Sequence, residues 1–306
     1  MSSPFGPIVL IANARSGRKG TGRTLPEVRA HLEQRGLEYE VRPTEYAGHA
    51  THIAREALED GRRFLVAMGG DGTIHEVVNG MIESDAAVNP EAVLGVVAAG
   101  TGSDFIKTFG IPAKPGHAVA HLDGEECFPI DIGKASYLQD GDRVTRYFAN
   151  IAEVGIGAET VARAERLPGW LGPTVYFFAF WMALRAFEPA DVKVDLVDRV
   201  HEGRMSNLVV ANGQFFGGGM KIAPKAAPTD GLLDIQIHNP SKRESVAIVP
   251  KVYKGEHIPH PDIHEAKRVR VEIHSDRPLR VEADGEVLGW TPATFELLRD
   301  AIRLKV

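Results

Sequence analysis

Two glycine-rich runs each carry an aspartate at the point where a strand pattern gives way to a helix pattern: Gly69-Gly70-Asp71-Gly72-Thr73 and Gly100-Thr101-Gly102-Ser103-Asp104. The apolar run Phe64–Met68 leads into the first, and beyond it Ile74, Val77, Val78, Met81 and Ile82 repeat at helical spacing. Glycine lets a backbone approach an anion closely. The exposed N–H groups and dipole of a helix N-terminus then favour phosphate. An aspartate in such a site needs its charge offset, which Mg²⁺ carried by a nucleotide would do. The competing reading is a tight turn with Asp71 as helix cap, since Asp-Gly pairs are common in turns. The second turn repeats the design after another apolar strand, Val93–Ala98, so Asp71 and Asp104 would face one site. A third turn, Asn13-Ala14-Arg15-Ser16-Gly17-Arg18, supplies either guanidinium groups for phosphate oxygens or a solvated basic loop. No GxxxxGK[ST] loop occurs and no GxGxxG follows the first strand, which disfavours an ordinary P-loop or dinucleotide fold.

The elements that must hold these turns alternate along the first third of the chain. Ile8–Ala12 reads as a strand, 23–35 as a helix and Tyr39–Arg42 as a strand. A second helix follows, with Ala50, Ile53, Ala54, Ala57 and Leu58 on one face. Repeated strand–helix units predict a parallel sheet covered on both faces, with ligands at the carboxyl ends of the strands, where the glycine turns lie. From near Glu125 the pattern changes to short β-type runs: Phe128–Ile132, Arg146–Ile151, Val192–Val197, Leu208–Ala211, Leu233–Ile237, Val269–Ile273, Arg280–Ala283 and Ala301–Val306. Turn residues separate them, which predicts an antiparallel sandwich or barrel interrupted by one aromatic helix over Val175–Phe187. Two domains are expected, divided at 124–130: a nucleotide-binding domain over 1–128 and a β-rich domain over 129–294.

Composition excludes other classes. The chain has 306 residues, 43% hydrophobic and 25% charged, which rules out disordered, collagen-like and coiled-coil proteins. A net charge of −6 argues against a partner bound by bulk positive charge, so no nucleic acid is expected. The single cysteine, Cys127, cannot build a disulfide framework or a Cys-based zinc site, and points to a reducing cytosol. No signal-peptide pattern opens the sequence. The longest apolar stretch, Trp170–Phe187, is broken by Gly172, Pro173 and Arg185 and falls short of the ~20 residues of a spanning helix. A soluble protein is expected, at most peripheral to a membrane.

The run Gly69–Gly80 (GGDGTIHEVVNG) resembles the nucleotide-binding core of the diacylglycerol kinase catalytic family, which includes bacterial lipid kinases, sphingosine kinases and ceramide kinases. Six stretches match it in the same order. The family's NPxSG-type loop is Asn13–Gly17, with Ala14 for the usual proline. Its TxxxGHA stretch is Thr44–Ala50, and its GTxND turn is 101–104, with Ser103 for asparagine. Gly217–Asp234 (GGGMKIAPKAAPTDGLLD) and Val281–Glu286 (VEADGE) are similar to the bacterial branch. NAD kinases share only the GGDGT run. The resemblance implies a phosphofructokinase-like N-terminal α/β domain followed by a β-rich sandwich-type second domain, with ATP bound in the cleft between them. It also implies that a last strand over 295–306 returns to the first domain. Carried over residue by residue, it assigns ATP contacts to Asn13, Ala14, Arg15, Ser16, Gly17, Thr44, Gly70, Asp71, Gly72, Thr73, Ile74, His75, Glu76, Thr101 and Asp104. It further implies a structural Mg²⁺ at the TDGLLD loop, held by the Asp230 carboxylate and the backbone oxygens of Ala227 and Leu232. Glu286 of the DGE turn takes the role of catalytic base, with Asp71 as the other catalytic residue. A solvated hairpin acid is the competing reading for Glu286.

Weaker features favour plainer readings. The aromatic helix reads as core first and as a lipid-contacting surface second. His257, His260 and His264 read as a solvated loop, because two prolines prevent a common helix face. Cys127 reads as a small buried hydrophobe, and Lys267–Arg270 as a solvated strand face. The function expected is an ATP-dependent lipid kinase of phospholipid biosynthesis. It would act in the cytoplasm or at the inner face of the membrane on diacylglycerol, with a homodimer left open. The alternatives are another lipid acceptor (sphingoid base, phosphatidylglycerol or prenol) and a nucleotide-binding regulator without turnover.

Overall fold

The computed structural model describes residues 3–13, 20–99, 103–168, 171 and 174–306. The chain divides into two compact units, Met1–Ile132 with Leu298–Val306, and Gly133–Leu297. The expected limits are 128/129 for the boundary and 295 for the start of the returning segment.

In the first unit, β1 (Ile8–Ala12), α1 (Gly20–Gln34), β2 (Tyr39–Pro43), α2 (His49–Glu59), β3 (Phe64–Gly69) and α3 (Asp71–Met81) alternate. A short hairpin, β4 (Ile82–Glu83) and β5 (Ala86–Ala87), precedes β6 (Val93–Ala98), α4 (Asp104–Phe109) and α5 (Pro115–Ala120). The sheet runs β2–β1–β3–β6, parallel throughout, and the chain end adds a parallel strand with Arg303 and Leu304 opposite Val93 and Leu94. Strands β1, β3 and β6 are buried along their whole length because helices cover both faces. On one face Ile8, Leu10, Phe64, Val66 and Val93 pack with Val28 and Leu32 of α1 and with Ala118 and Val119 of α5. The alternating residues Val9, Ile11, Leu65 and Ala67 are buried on the other face. This is the α/β layer expected from the sequence. It brings the carboxyl ends of β1 and β3 side by side, since Ala12 lies opposite Met68.

The second unit is β-rich and antiparallel. Its elements are β7 (Cys127–Gln139), which starts in the first unit, β8 (Asp142–Phe148), β9 (Ile151–Gly155), α6 (Ile156–Ala164) and α7 (Val175–Ala186). Then come β10 (Ala190–Asp195), β11 (Val200–Met205), β12 (Asn207–Ala211), β13 (Leu233–His238), α8 (Lys242–Val252), β14 (Ile263–Arg268), β15 (Arg270–Ser275), β16 (Arg280–Ala283) and the long β17 (Glu286–Lys305). The order β14–β13–β12–β9–β16–β17 forms the main path, with β15–β10–β11 and β7–β8 branching from β17. The core draws Tyr137, Phe148, Val154, Val194, Val210, Ile235, Val281 and Phe295 from the facing strands. A second cluster packs Ile248 and Val252 of α8 on Ile151, Val209 and Ala211.

Several expectations are corrected here. The run Arg146–Ile151 is not one strand. The N–H groups of Ala149, Asn150 and Ile151 all go to the side chain of Asp284, which breaks the strand between β8 and β9. Among the described residues the helices α6, α7 and α8 interrupt the strands, where the sequence pattern predicts one. Helix α8 begins with a capping box in which Ser241 and Glu244 satisfy each other's backbone N–H groups. The aromatic helix α7 buries Ala179, Ala183 and Leu184, and turns Phe177, Phe178, Trp181 and Met182 outward at 56%, 48%, 38% and 47% exposure. Ala179 and Ala183, at i and i+4, make its packing stripe with Leu184, so Phe177, Phe178 and Trp181 are surface, while Tyr176 and Phe180 are half-buried. Trp170, Gly172 and Pro173 lie outside the described residues. His257 is fully buried beside His238 and Gln236 instead of lying in a solvated loop. Cys127 is half-buried, with the Arg303 guanidinium 3.1 Å from its sulfur. Among the described residues no helix is long and apolar enough to cross a membrane.

Candidate active site

The first unit leaves open space at the junction of β3 and α3. Gly69 and Gly70 serve different purposes there. A Cβ on Gly69 would stand 2.2 Å from Thr73 Oγ1, so the fold itself demands glycine. Among the described residues a Cβ on Gly70 would meet nothing within 4 Å, and its φ of −98° suits any residue. Gly70 is the N-cap of α3, and the first N–H groups of a helix have no partner within it. The open space at Gly70 therefore fronts an anion-favouring helix end. Asn13, at the end of β1, steadies this junction by donating from Nδ2 to Thr73 Oγ1 at 3.2 Å. Thr44 anchors the neighbouring strand end through its N–H to Ala12 O at 2.9 Å.

Asp71 neither caps its own helix nor points freely outward. Its Oδ1 accepts from Ser103 Oγ and from the Phe105 N–H, both at 3.0 Å, and its Oδ2 accepts from the Asp104 N–H at 2.9 Å. It thus caps α4, and ties the first glycine turn to the end of the second. Burial raises its pKa to about 6, against the hydrogen bonds from residues 104 and 105 and with the Asp104 charge adding to the rise. Asp104 is 4% exposed and pairs with Lys107 at 2.8 Å. The expectation that both carboxylates face one ligand is corrected. The two residues are neighbours, but Asp71 is engaged by a helix end and Asp104 by an ammonium.

Several other residues expected to contact ATP have side chains that support the junction from within. Ile74 and His75 are 1% and 3% exposed and Thr73 is 3% exposed, so their side chains belong to the interior. Glu76 accepts from the N–H groups of Gly48 and Ala50 at 2.8 and 2.9 Å, and its backbone oxygen accepts from Thr51 Oγ1. It caps α2 and binds the GHA stretch to α3. Asn13, Thr44, Gly70 and Gly72 remain partly accessible at the strand ends. Ala14, Arg15, Ser16, Gly17 and Thr101 lie outside the described residues.

In the second unit, Glu286 opens β17 directly after a two-residue hairpin turn. Asp284 and Gly285 take φ of 51° and 86°, and Ala283 pairs with Glu286 across the turn. Asp-Gly is the natural occupant of such a turn, since both central positions need positive φ. Asp284 does more than turn the chain. Its Oδ2 accepts from Ala149 N at 2.8 Å, and its Oδ1 from Asn150 N and Ile151 N at 2.9 and 3.0 Å. Asp284 N–H returns to Ile151 O at 2.8 Å, so the turn is clamped to the start of β9. Glu282 accepts from Gly285 N at 2.9 Å and lies opposite Glu153 in the β9–β16 register. Both of these acids are fully buried. Burial pushes Glu153 up to about 7, with the Asn207 amide, 2.6 Å away, opposing it. Burial and the Glu153 charge push Glu282 up as well.

The TDGLLD loop does not fit a divalent metal. Asp230 Oδ1 accepts from the Leu232 N–H at 3.0 Å, and its Oδ2 accepts from Lys267 Nζ at 2.8 Å. Ala227 O already accepts from the N–H groups of Thr229 and Asp230 at 2.7 and 3.1 Å. Among the described residues no group of three or more His, Cys, Asp or Glu side chains could hold a metal ion. Lys267–Arg270 keeps a partly exposed face, and its cations are paired there, Arg268 with Asp198 at 2.5 Å.

Sequence reasoning missed Asp284 as a clamp, Ser103 as a donor to Asp71, and Lys267 as a partner of Asp230. Positive φ at an Asp-Gly turn was the only local signal for the first. The other two carried none, since their partners are remote in sequence.

Comparison with known proteins agrees with the architecture. Residues 7–135 match the diacylglycerol kinase catalytic domain, and residues 150–306 match the YegS C-terminal NAD kinase beta sandwich-like domain. A diacylglycerol kinase of Bacillus subtilis (strain 168) is 31% identical over 290 residues, covering 94% of this chain and 91% of that protein. A Xanthomonas oryzae pv. oryzae protein named probable lipid kinase YegS-like is 32% identical over 283 residues, 89% of this chain and 87% of its own. A crystal structure of a diacylglycerol kinase from Bacillus anthracis superposes with a TM-score of 0.73 at 22% identity, covering 99% of this chain and 97% of that one. The chain belongs to the diacylglycerol kinase catalytic family, as a lipid kinase of its bacterial branch.

Proposed function

We propose that this enzyme transfers the γ-phosphoryl group of ATP, taken up as its magnesium complex, to the free hydroxyl of diacylglycerol, giving phosphatidic acid. The observation that carries the nucleotide half is Gly70. It is a glycine that the fold does not require, in front of the N-terminus of α3, where its missing side chain serves a ligand's approach. In this reading the first N–H groups of α3 hold phosphate oxygens, and Asp71 keeps the two glycine turns in register. Glu286 takes the proton of the acceptor hydroxyl as its oxygen attacks the γ-phosphorus. The bond to the bridging oxygen breaks, and ADP leaves. The outward rings Phe177, Phe178 and Trp181 of α7 suit contact with a lipid surface, where an acceptor of this kind resides.

The test is transfer from labelled ATP to diacylglycerol, a sphingoid base, phosphatidylglycerol and a prenol in mixed micelles, with NAD assayed in parallel. The fastest transfer should be to diacylglycerol, with none to NAD. Transfer to another lipid would replace the acceptor, and no transfer to any lipid would overturn the reading.

A further inference from the structure

We propose that the resident cation of the TDGLLD loop is the ammonium of Lys267, in place of the divalent metal that family resemblance implies. Lys267 Nζ meets Lys225 O at 3.0 Å, Asp230 Oδ2 at 2.8 Å and Asp234 Oδ2 at 3.0 Å. An ammonium has three N–H donors and no acceptor; here it donates to Asp230 Oδ2 and Lys225 O, and the Asp234 carboxylate completes the cluster as an ion pair. Two of those oxygens are carboxylates and one is a backbone carbonyl, the donor set of a hard cation.

The register of the sheet delivers this cation. Lys267 on β14 lies directly opposite Asp234 on β13, so its side chain shares a face with that carboxylate. Asp230 sits in the loop that enters β13 and closes over the same ammonium. The neighbouring Lys225 cannot exchange freely with it, since its own Nζ is held by Glu265 at 2.7 Å.

A Mg²⁺ ion would need near-octahedral oxygen ligands at about 2.0–2.1 Å. To reach Asp230 Oδ2 it would have to displace an ammonium already 2.8 Å from that oxygen. The other Asp230 oxygen and the Ala227 carbonyl are accepting backbone N–H groups. The ammonium therefore does what the metal would do, tying the 227–232 loop to the β13–β14 pair.

The experiment uses nucleotide-free protein, with chelator or Mg²⁺ in thermal unfolding and Mn²⁺ binding followed by electron paramagnetic resonance. Wild type should melt at the same temperature under both conditions and show no Mn²⁺ site that Asp230→Asn removes. Lys267→Met should melt about 4 °C lower. It should also gain a Mn²⁺ site at least about tenfold tighter than any in wild type, because two carboxylates are released to the metal. If that variant does not fold, the wild-type comparison decides alone. A chelator effect or Mn²⁺ site in wild type that disappears in Asp230→Asn would overturn the proposal. So would a folded Lys267→Met variant that binds Mn²⁺ no better than wild type.

Discussion

Asp71 Oδ1 accepts the backbone N–H of Phe105 at 3.0 Å, although 34 positions separate the two residues in sequence. One carboxylate therefore joins both glycine turns, and Asp71 acts on the ligand end of the sheet through α4. Replacing Asp71 with Ala should lower stability by about 0.5–2 kcal/mol, the usual effect of removing a helix cap, and should lower turnover with it. Unfolding curves together with kinetics check this. An unchanged melting temperature with lost activity would show that Asp71 acts on the ligand alone.

The two glycines at the turn predict opposite outcomes. Gly70→Val should fold with a loss of about 1 kcal/mol or less from the poorer N-cap while losing nucleotide binding, because its side chain enters open space in front of α3. Gly69→Ala should destabilise the first unit by about 1–3 kcal/mol, because its Cβ collides with Thr73. Nucleotide titration beside thermal unfolding distinguishes them. Normal ATP binding by Gly70→Val would remove the main support for the phosphate site.

Asp284 should be a positioning residue for the DGE turn. Asp284→Ala leaves the N–H groups of Ala149, Asn150 and Ile151 without their acceptor, at about 1–3 kcal/mol for each that stays buried and unpaired. Asp284→Asn keeps one acceptor and tolerates positive φ, so it should recover part of the loss. The diagnostic readout is kcat, which should fall further than KM rises in a variant that remains folded. An Asp284→Ala enzyme with wild-type kcat would rule out the clamp.

The buried acids predict a pH profile. Glu153 binds its proton up to about pH 7 in the folded protein, above the ordinary 4.5. The folded state therefore holds a proton that the unfolded chain has lost across that interval, and stability falls as pH rises through it. Glu282, raised in the same direction, adds to the slope. Glu153→Gln keeps the acceptor for Asn207, removes this titration and supplies an amide beside Glu282. It should raise the melting temperature above pH 7 by a few degrees and change it little near pH 4.5. A variant less stable than wild type at pH 8 would contradict the account.

Strand–helix alternation was legible in the first unit because buried parallel strands and amphipathic helices leave distinct periodicities, as in Phe64–Met68 followed by Ile74, Val77 and Val78. The DGE hairpin was legible because positive φ at its two turn residues restricts residue type, and the first glycine turn because Thr73 leaves no room for a Cβ at Gly69. The acceptors of particular carboxylates were not. Glu76 binds Gly48 and Ala50, Asp71 binds residues 103–105, and Asp284 binds residues 149–151, pairings set only once the sheet has formed. For α7, apolar residues on every side concealed which stripe packs, and alanine proved to be the buried one. Lys267 looked like a surface lysine because its partners lie 33 and 37 positions earlier.

The most direct measurement is turnover of Glu286→Gln, which preserves the shape of the hairpin and removes its basicity. Loss of a general base costs on the order of 10²–10⁴ in rate, whereas a surface acid alters stability by about 0.5 kcal/mol or less. The account predicts a kcat lowered by about that factor, with ATP affinity and melting temperature close to wild type. Turnover within a few-fold of wild type would contradict it, and would leave the acceptor hydroxyl's proton to another group.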